Sequence, residues 1–213
     1  MAKMKEQKVI KIDPANLNRV EAHALLVGVI GPRPIAFVST VGQQGINNLA
    51  PFSFFTALSV KPAIVGFAVA RKRAGQKKDT LINIEETKEF VINVVTEELA
   101  QAMNLTSGEY AYEVDEFKVA NLTPAPSDLI KAPRVAESPL NLECKLLQIL
   151  EFGQFPTLTS FIIGEVLRVH IQEEVCADGV IKALKLKAIG RLGEDFYCKT
   201  RDIFEMKRPP GPF

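Results

Sequence analysis

The sequence has little net charge, few histidines and no paired cysteines, and each shortage removes a class of function. Its formal net charge is +1, so no overall field draws the chain to nucleic acid or to a membrane surface. Cys144, Cys176 and Cys198 are odd in number, far apart and form no CxxC, which argues against both a disulfide framework and a zinc site. His23 and His170 have no partner at metal-ligand spacing, so no metal site is expected, and His170, in an alternating stretch, reads as structural. The longest apolar runs, 24–30 and 63–70, are interrupted by Gly28 and Gly66 and fall short of the roughly 18 residues that a membrane helix needs. The N-terminal lysines are mixed with Glu6 and Asp13 and lead into no apolar h-region. No signal peptide is therefore expected, and the chain reads as cytoplasmic and reduced. No GxGxxG follows a strand, and no P-loop, GxSxG or local Cys-His pairing is present. A tightly held Rossmann dinucleotide is not expected. Glu85-Glu86 and Glu173-Glu174 read as solvated faces, not acid–base pairs.

What the chain does have is enough apolar content for a sizeable core, 47% of 213 residues. At this length a mainly β chain often forms one unit, so a single domain over 1–213 is expected. Met1 to Gln7 reads as frayed, and Val9, Ile10 and Ile12 as a short strand. Asp13-Pro14 predicts a helix start, with Asp as cap and Pro at the first helical position. Ala63 to Arg71 and Phe90 to Val95 read as buried strands. Thr96-Glu97-Glu98 reads as a helix start with Leu99, Ala102 and Met103 on its apolar face. Asn104 to Ala111 is a polar loop. Pro124 to Pro139 reads as a surface connection with a short helix at Ser127 to Ile130. Leu140 to Phe152 and Leu158 to Val175 are long strands, with Glu143, Lys145 and Gln148 exposed or bulged. Strands and turns at this spacing predict antiparallel pairing, not βαβ repeats. Arg208 to Pro212 is an extended tail.

Two stretches carry the chemistry. The first runs from Pro32 to Phe55. An apolar strand, Ile35 to Val41, meets a Gly42-Gln43-Gln44-Gly45 turn, and the return segment mixes Asn47-Asn48, Ala50-Pro51 and Ser53 with Phe52, Phe54 and Phe55. A plain core hairpin would not need that mixture, whereas a flat aromatic ligand held at a sheet margin would. Asn48, Ser53 and the backbone near Ala50 can bond the edge of a heterocycle. The phenylalanines either lie against its ring or, by strand alternation, fill the core. The second stretch is the cluster Arg71, Lys72, Arg73, Lys77 and Lys78, followed by a helix cap at Asp79-Thr80. Helix N–H groups with neighbouring Lys and Thr donors suit a phosphate. The same cluster also reads as a solvated cationic loop.

Taken in order, these residues resemble the flavin reductase-like family, the FMN-binding split barrels that include flavoredoxin-type proteins. The resemblance lies in Arg33-Pro34-Ile35-Ala36 with Ser39-Thr40, in Asn48 to Phe55, in Lys78-Asp79-Thr80 with Asn83, in Glu89 to Asn93, and in Gly190-Arg191-Leu192-Gly193 with Phe196-Tyr197. It implies a six-stranded antiparallel Greek-key β-barrel with flanking helices, and a homodimer with one FMN per subunit near the interface. It places Ser39, Thr40, Asn48, Leu49, Ala50 and Ser53 along the flavin. Lys78, Asp79 and Thr80 sit at the ribityl phosphate with Arg71 or Lys72 beside them, while Arg191 and Tyr197 close the pocket. It also implies that the C-terminal tail wraps the neighbouring subunit. The activity implied is an NAD(P)H-dependent flavin reductase, with NADH or NADPH as a transient co-substrate and no catalytic side chain required. The competing reading is an FMN electron carrier reduced by a protein donor, in which an electron-acceptor protein would be a further partner.

Overall fold

The structure, a computed structural model, describes residues 8–72 and 74–211. The frayed segment expected at Met1 to Gln7 lies outside them, as do Arg73 and Pro212. After a 3-10 turn at Pro14–Asn16, capped by Asp13 through Ala15 N–H, comes α1 (Arg19–Val29). Asn18 caps α1, and Glu21 returns a bond to the Asn18 N–H. The reciprocal pair satisfies two otherwise orphaned donors. Then follow β1 (Ala36–Val41), β2 (Asn47–Phe52), β3 (Phe55–Val60), β4 (Ala63–Ala70), α2 (Asp79–Thr87), β5 (Glu89–Val94), α3 (Ala100–Leu105) and α4 (Glu116–Val119). The second half contains β6 (Pro124–Ala125), β7 (Arg134–Val135), β8 (Leu140–Phe152), β9 (Thr159–Ile171), β10 (Cys176–Ala177), β11 (Val180–Ile181), α5 (Ala183–Leu186), β12 (Ile189–Arg191) and β13 (Tyr197–Lys199). No helix among the described residues is long and apolar enough to cross a membrane.

Seven strands form one antiparallel sheet in the order β2-β1-β5-β8-β9-β4-β3. Laid flat, its two edge strands would stand about 29 Å apart at the usual strand spacing. Yet β2 and β3 are joined only by Ser53 and Phe54, and the three steps from Phe52 to Phe55 reach at most about 11 Å. The sheet must curl until its edges meet. The Phe54 carbonyl in that bend accepts from the Ala68 N–H of β4 at 2.9 Å. This is the expected β-barrel with flanking helices, with seven strands in the sheet where six were expected.

Strand alternation sorts the core into two compartments. Ala36 and Val38 of β1 point inward with Phe52, Phe67, Phe90, Ile92 and Ile162, and α2 closes the interior with Leu81 and Ile84. Phe37 points outward and packs with Leu49, Val95, Leu99, Met103 and Phe117 beneath α3 and α4. Burial on both faces explains why Ile35 to Val41 is nearly continuous in apolar character.

Several local expectations are corrected. Val9, Ile10 and Ile12 are exposed coil, because no strand edge is there to pair with them. Asp79-Thr80 is not the cap of α2. Lys78 holds the N-cap position, and the side chains of Asp79 and Thr80 turn away to Lys72 and Asn48. The helix expected from Thr96 begins at Ala100. Thr96 instead bridges to Ala188, and Glu97 is taken by Lys199 and Arg201. Ser127 to Ile130 forms a bend and not a helix, with the N–H groups of Asp128 and Leu129 donating to the Glu143 carboxylate. Glu143 lies at a bulge, one of the two alternatives expected for it, and is fully buried. The strand expected to run to Val175 ends at Ile171, before a 3-10 turn at Glu173–Val175.

Candidate functional site

The N-terminus of α2 is the most chemically distinctive helix end. No side chain caps it, so its leading N–H groups face outward with the positive end of the helix dipole. Asp79 accepts two bonds from Lys72 Nζ at 2.9 and 3.1 Å, and Thr80 Oγ1 donates to Asn48 Oδ1 at 2.7 Å. Lys78 is half-buried, its ammonium 5.9 Å from the centre of the Phe52 ring. Burial lowers the ammonium below the ordinary lysine value. Glu109 opposes that effect, nearby Lys72 adds to it, and Asp79 opposes it weakly. A half-buried cation beside an uncapped helix end is stabilised by an anion.

Strand β2 forms the neighbouring wall, and it is braced from behind. Asn48 Nδ2 donates to both oxygens of Glu116, and Leu49 N–H donates to Glu116 Oε2 at 3.1 Å. Asn48 Oδ1 accepts from Thr80 and, at 3.3 Å, from Thr40. Thr40 Oγ1 in turn accepts from Asn83 Nδ2, and Asn83 Oδ1 accepts from the Tyr112 hydroxyl at 2.8 Å. Burial pushes the Glu116 carboxyl above its ordinary value, although these bonds pull it back. The network ties β1, β2, α2 and α4 together behind the wall.

Two cavities open on this wall and share Pro51 and Ser107. The smaller, about 40 Å³, lies between Ala50, Lys72, Lys78 and Thr80 and the loop that follows α3. The larger, about 370 Å³, is lined by Ile35, Ser53, Asn104, Arg191 and Tyr197 among others. The Arg191 guanidinium lies 4.5 Å from the centre of the Tyr197 ring, brought there by the β12–β13 pairing of these two residues. Arg33 braces this corner from within. Its guanidinium donates to the carbonyls of Val27, Ile30 and Leu192, tying the end of α1 to the turn after β12.

The structure thus brings together eight of the twelve residues expected at the site. Asn48, Ala50, Lys78, Asp79 and Thr80 line the smaller cavity, and Ser53, Arg191 and Tyr197 the larger. Four stand elsewhere. Ser39 is fully buried, donating to the Pro133 carbonyl and accepting from Asn93. Thr40 and Leu49 are also fully buried behind the wall. Arg71 is paired with Glu151 at 2.6 Å and with Ser160 at 2.9 Å, and is not among the residues lining either cavity. Asn48 lines the cavity, but its amide is committed to Glu116 and Thr80. Sequence reasoning passed over Glu116 and the loop from Thr106 to Tyr110. Their available signals were the Asp115 cap placed just before Glu116 and the Ser107-Gly108 pair directly after a helix.

Four likenesses to known proteins agree with this geometry. The family model described as flavin reductase like domain matches residues 31–183. An uncharacterized protein of Halalkalibacterium halodurans is 37% identical over 202 residues, covering 94% of this chain and 97% of that protein. The crystal structure of nitrilotriacetate monooxygenase component B from Bacillus cereus matches with a TM-score of 0.90 at 34% identity, over 94% of this chain and 100% of that one. The 2-nitrobenzoate 2-nitroreductase of Pseudomonas fluorescens matches with a TM-score of 0.85 at 31% identity, over 94% and 96% of the two chains.

Proposed function

The chain belongs to the flavin reductase-like domain family, and from that premise we propose that it is a cytoplasmic, single-domain FMN-binding oxidoreductase. In this reading NADH or NADPH is a transient co-substrate and the working form is a homodimer. The observation that carries the proposal is the pairing of two unequal cavities across Pro51 and Ser107. One is small and presents Lys78 at an uncapped helix end, and the other is roomy with an aromatic–guanidinium wall. These residues fit a ligand with a phosphate at one end and a flat ring system at the other.

In that reading Lys78 and the α2 N-terminus hold the phosphate, with Lys72 steadied by Asp79 beside it. Ala50 and Pro51 floor the groove, Ser53 offers a hydroxyl, and Arg191 with Tyr197 forms the far wall. A bound flavin supplies the exchange of a hydride or of electrons, and the protein supplies position and electrostatics. No side-chain acid or base is called for. The redox names of the two solved relatives support this class of chemistry.

The homodimer is argued from an outward apolar strip on β3, β4, β8 and β9. There Leu58 and Phe161 close over Gly66, and Leu150 pairs with Phe161. Exposed apolar strips of this kind mark association surfaces.

The test is oxidation of NADH and NADPH by the purified protein with and without added FMN. Turnover that depends on FMN is expected. A protein that binds FMN yet leaves both nicotinamides untouched, while a reduced ferredoxin-type donor bleaches the flavin, would establish the electron-carrier reading instead. A protein that takes up no flavin would defeat both.

A further inference from the structure

We propose that Tyr110 and Glu109 close the phosphate end of this groove, so that it accepts a flavin ending in one phosphate and rejects a flavin dinucleotide. The inference rests on the flavin reading above and names what decides between ligands within it.

Room is the first argument. The cavity at the α2 N-terminus measures about 40 Å³, which is about three water-sized positions. A phosphomonoester has three outward oxygens and fills that space. A second phosphate with a nucleoside behind it must leave the cavity past the loop after α3.

That loop is folded back on itself. The Tyr110 hydroxyl donates to the Leu105 carbonyl at 2.9 Å, and the Tyr110 ring covers Gly108 so closely that a Cβ there would sit 3.0 Å from it. The Thr106 N–H bonds back to the Ala102 carbonyl, and Thr106 itself is buried. The wall is therefore a packed turn anchored to α3.

Charge is the second argument. Two cations and three carboxylates line the cavity. Lys72 is held by Asp79, and the Glu116 carboxylate is turned inward on Asn48 and Leu49. Lys78 remains to meet a phosphate, and Glu109 raises the affinity of Lys78 for its proton across the same space. One phosphate thus finds a cation and a helix end. A second finds no free cation in this cavity and approaches the Glu109 carboxylate. Because Glu109 is exposed, its repulsion is screened by salt, and Tyr110 supplies the larger part of the exclusion.

Calorimetric titration of the flavin-free protein with FMN, FAD and riboflavin tests this, and it reads binding directly. FMN should bind at least about tenfold more tightly than FAD, the ratio worth about 1.4 kcal/mol. Tyr110→Ala should shrink that ratio by improving FAD. Glu109→Gln should shrink it less, with an effect that fades as salt is raised. Equal affinity for FMN and FAD in the parent protein overturns this inference and leaves the flavin reading intact, as does an unchanged ratio in both variants. Binding of none of the three flavins overturns both.

Discussion

The carboxylate of Glu116 on α4 accepts the Asn48 side-chain amide at 3.0 and 3.1 Å, and the same carboxylate takes the Leu49 N–H. Asn48 is 6% exposed and Glu116 is 4% exposed, so water cannot easily replace either partner. Leaving a buried donor unsatisfied costs about 1–3 kcal/mol. Glu116→Ala orphans the Asn48 amide and the Leu49 N–H together. It should lower stability by at least that amount in chemical denaturation. It should also weaken flavin binding, because Asn48 is the acceptor that holds Thr80 at the start of α2. A variant with parent-like stability would mean that the Glu116–Asn48 contact does not brace the wall.

In the proposed reading, Lys78 is the residue on which phosphate recognition turns. A hydrogen bond to a charged group is worth about 1.5–3 kcal/mol, so Lys78→Ala should weaken FMN binding by about 10- to 150-fold. Riboflavin, which has no phosphate, should bind the parent and the variant alike. If both ligands lose affinity equally, Lys78 serves the ring and not the phosphate. The fold should tolerate the change, since the half-buried ammonium is already disfavoured by its surroundings.

How much of this was legible in the sequence follows from the range of each interaction. The Gly42 to Gly45 turn, the strand from Ile35 to Val41 and the Asp13-Pro14 start are local, and each formed where residue chemistry placed it. Asn48 was singled out as a residue a plain hairpin would not need, but its partner lies 68 residues away on a four-residue helix. No periodicity announces such a contact. Lys78 and Asp79 illustrate a subtler limit. The sequence located the helix start within one residue, yet Asp79 gave its carboxylate to Lys72 instead of to the helix, and that left the helix end open. Ser127 to Ile130 is a bend whose Asp128 and Leu129 N–H groups donate to Glu143 on β8, a partner that no local pattern announces. Ser39, Thr40 and Leu49 fell in the stretch expected to hold the ligand, but all three are fully buried, Ser39 and Leu49 on the face beneath α3 and α4 and Thr40 on the opposite one.

Glu143 also gives the protein an acid-sensitive joint. Its carboxylate is fully buried, accepts Asp128 N–H at 2.7 Å and Leu129 N–H at 2.8 Å, and lies 2.5 Å from His170 Nε2. Burial pushes the carboxyl up, but the hydrogen bonds outweigh it and leave the group below its ordinary value. The folded protein therefore binds fewer protons than the unfolded chain in that window. The stabilisation is complete above the ordinary glutamate value of about 4.3 and is lost as pH falls through the lower folded value. Melting curves of the parent and of Glu143→Gln, recorded at neutral and at progressively acidic pH, should converge as the acid is increased. A gap that stays constant would show that the charge on Glu143 contributes nothing.

Two glycines make opposite predictions because the space around them differs. Gly164 on β9 faces the barrel interior, where a Cβ would sit 2.4 Å from Phe90 Cζ and 3.2 Å from the Lys145 carbonyl of β8. Phe90 has no room to yield: it is fully buried and meets Phe67 edge-on at 5.5 Å, and Phe67 in turn packs on Phe52 at 5.3 Å. Overpacking of this kind costs about 1–3 kcal/mol, so Gly164→Ala should lower Tm by about 2–4 °C for each kcal/mol lost. Gly28, in α1, has nothing within 4 Å of its would-be Cβ, and its helical backbone favours alanine by up to about 1 kcal/mol. Gly28→Ala should therefore raise Tm. If Gly164→Ala were neutral, the aromatic trio inside the barrel would have to be loose enough to shift, and the interior would no longer be the rigid support on which the β2 wall depends.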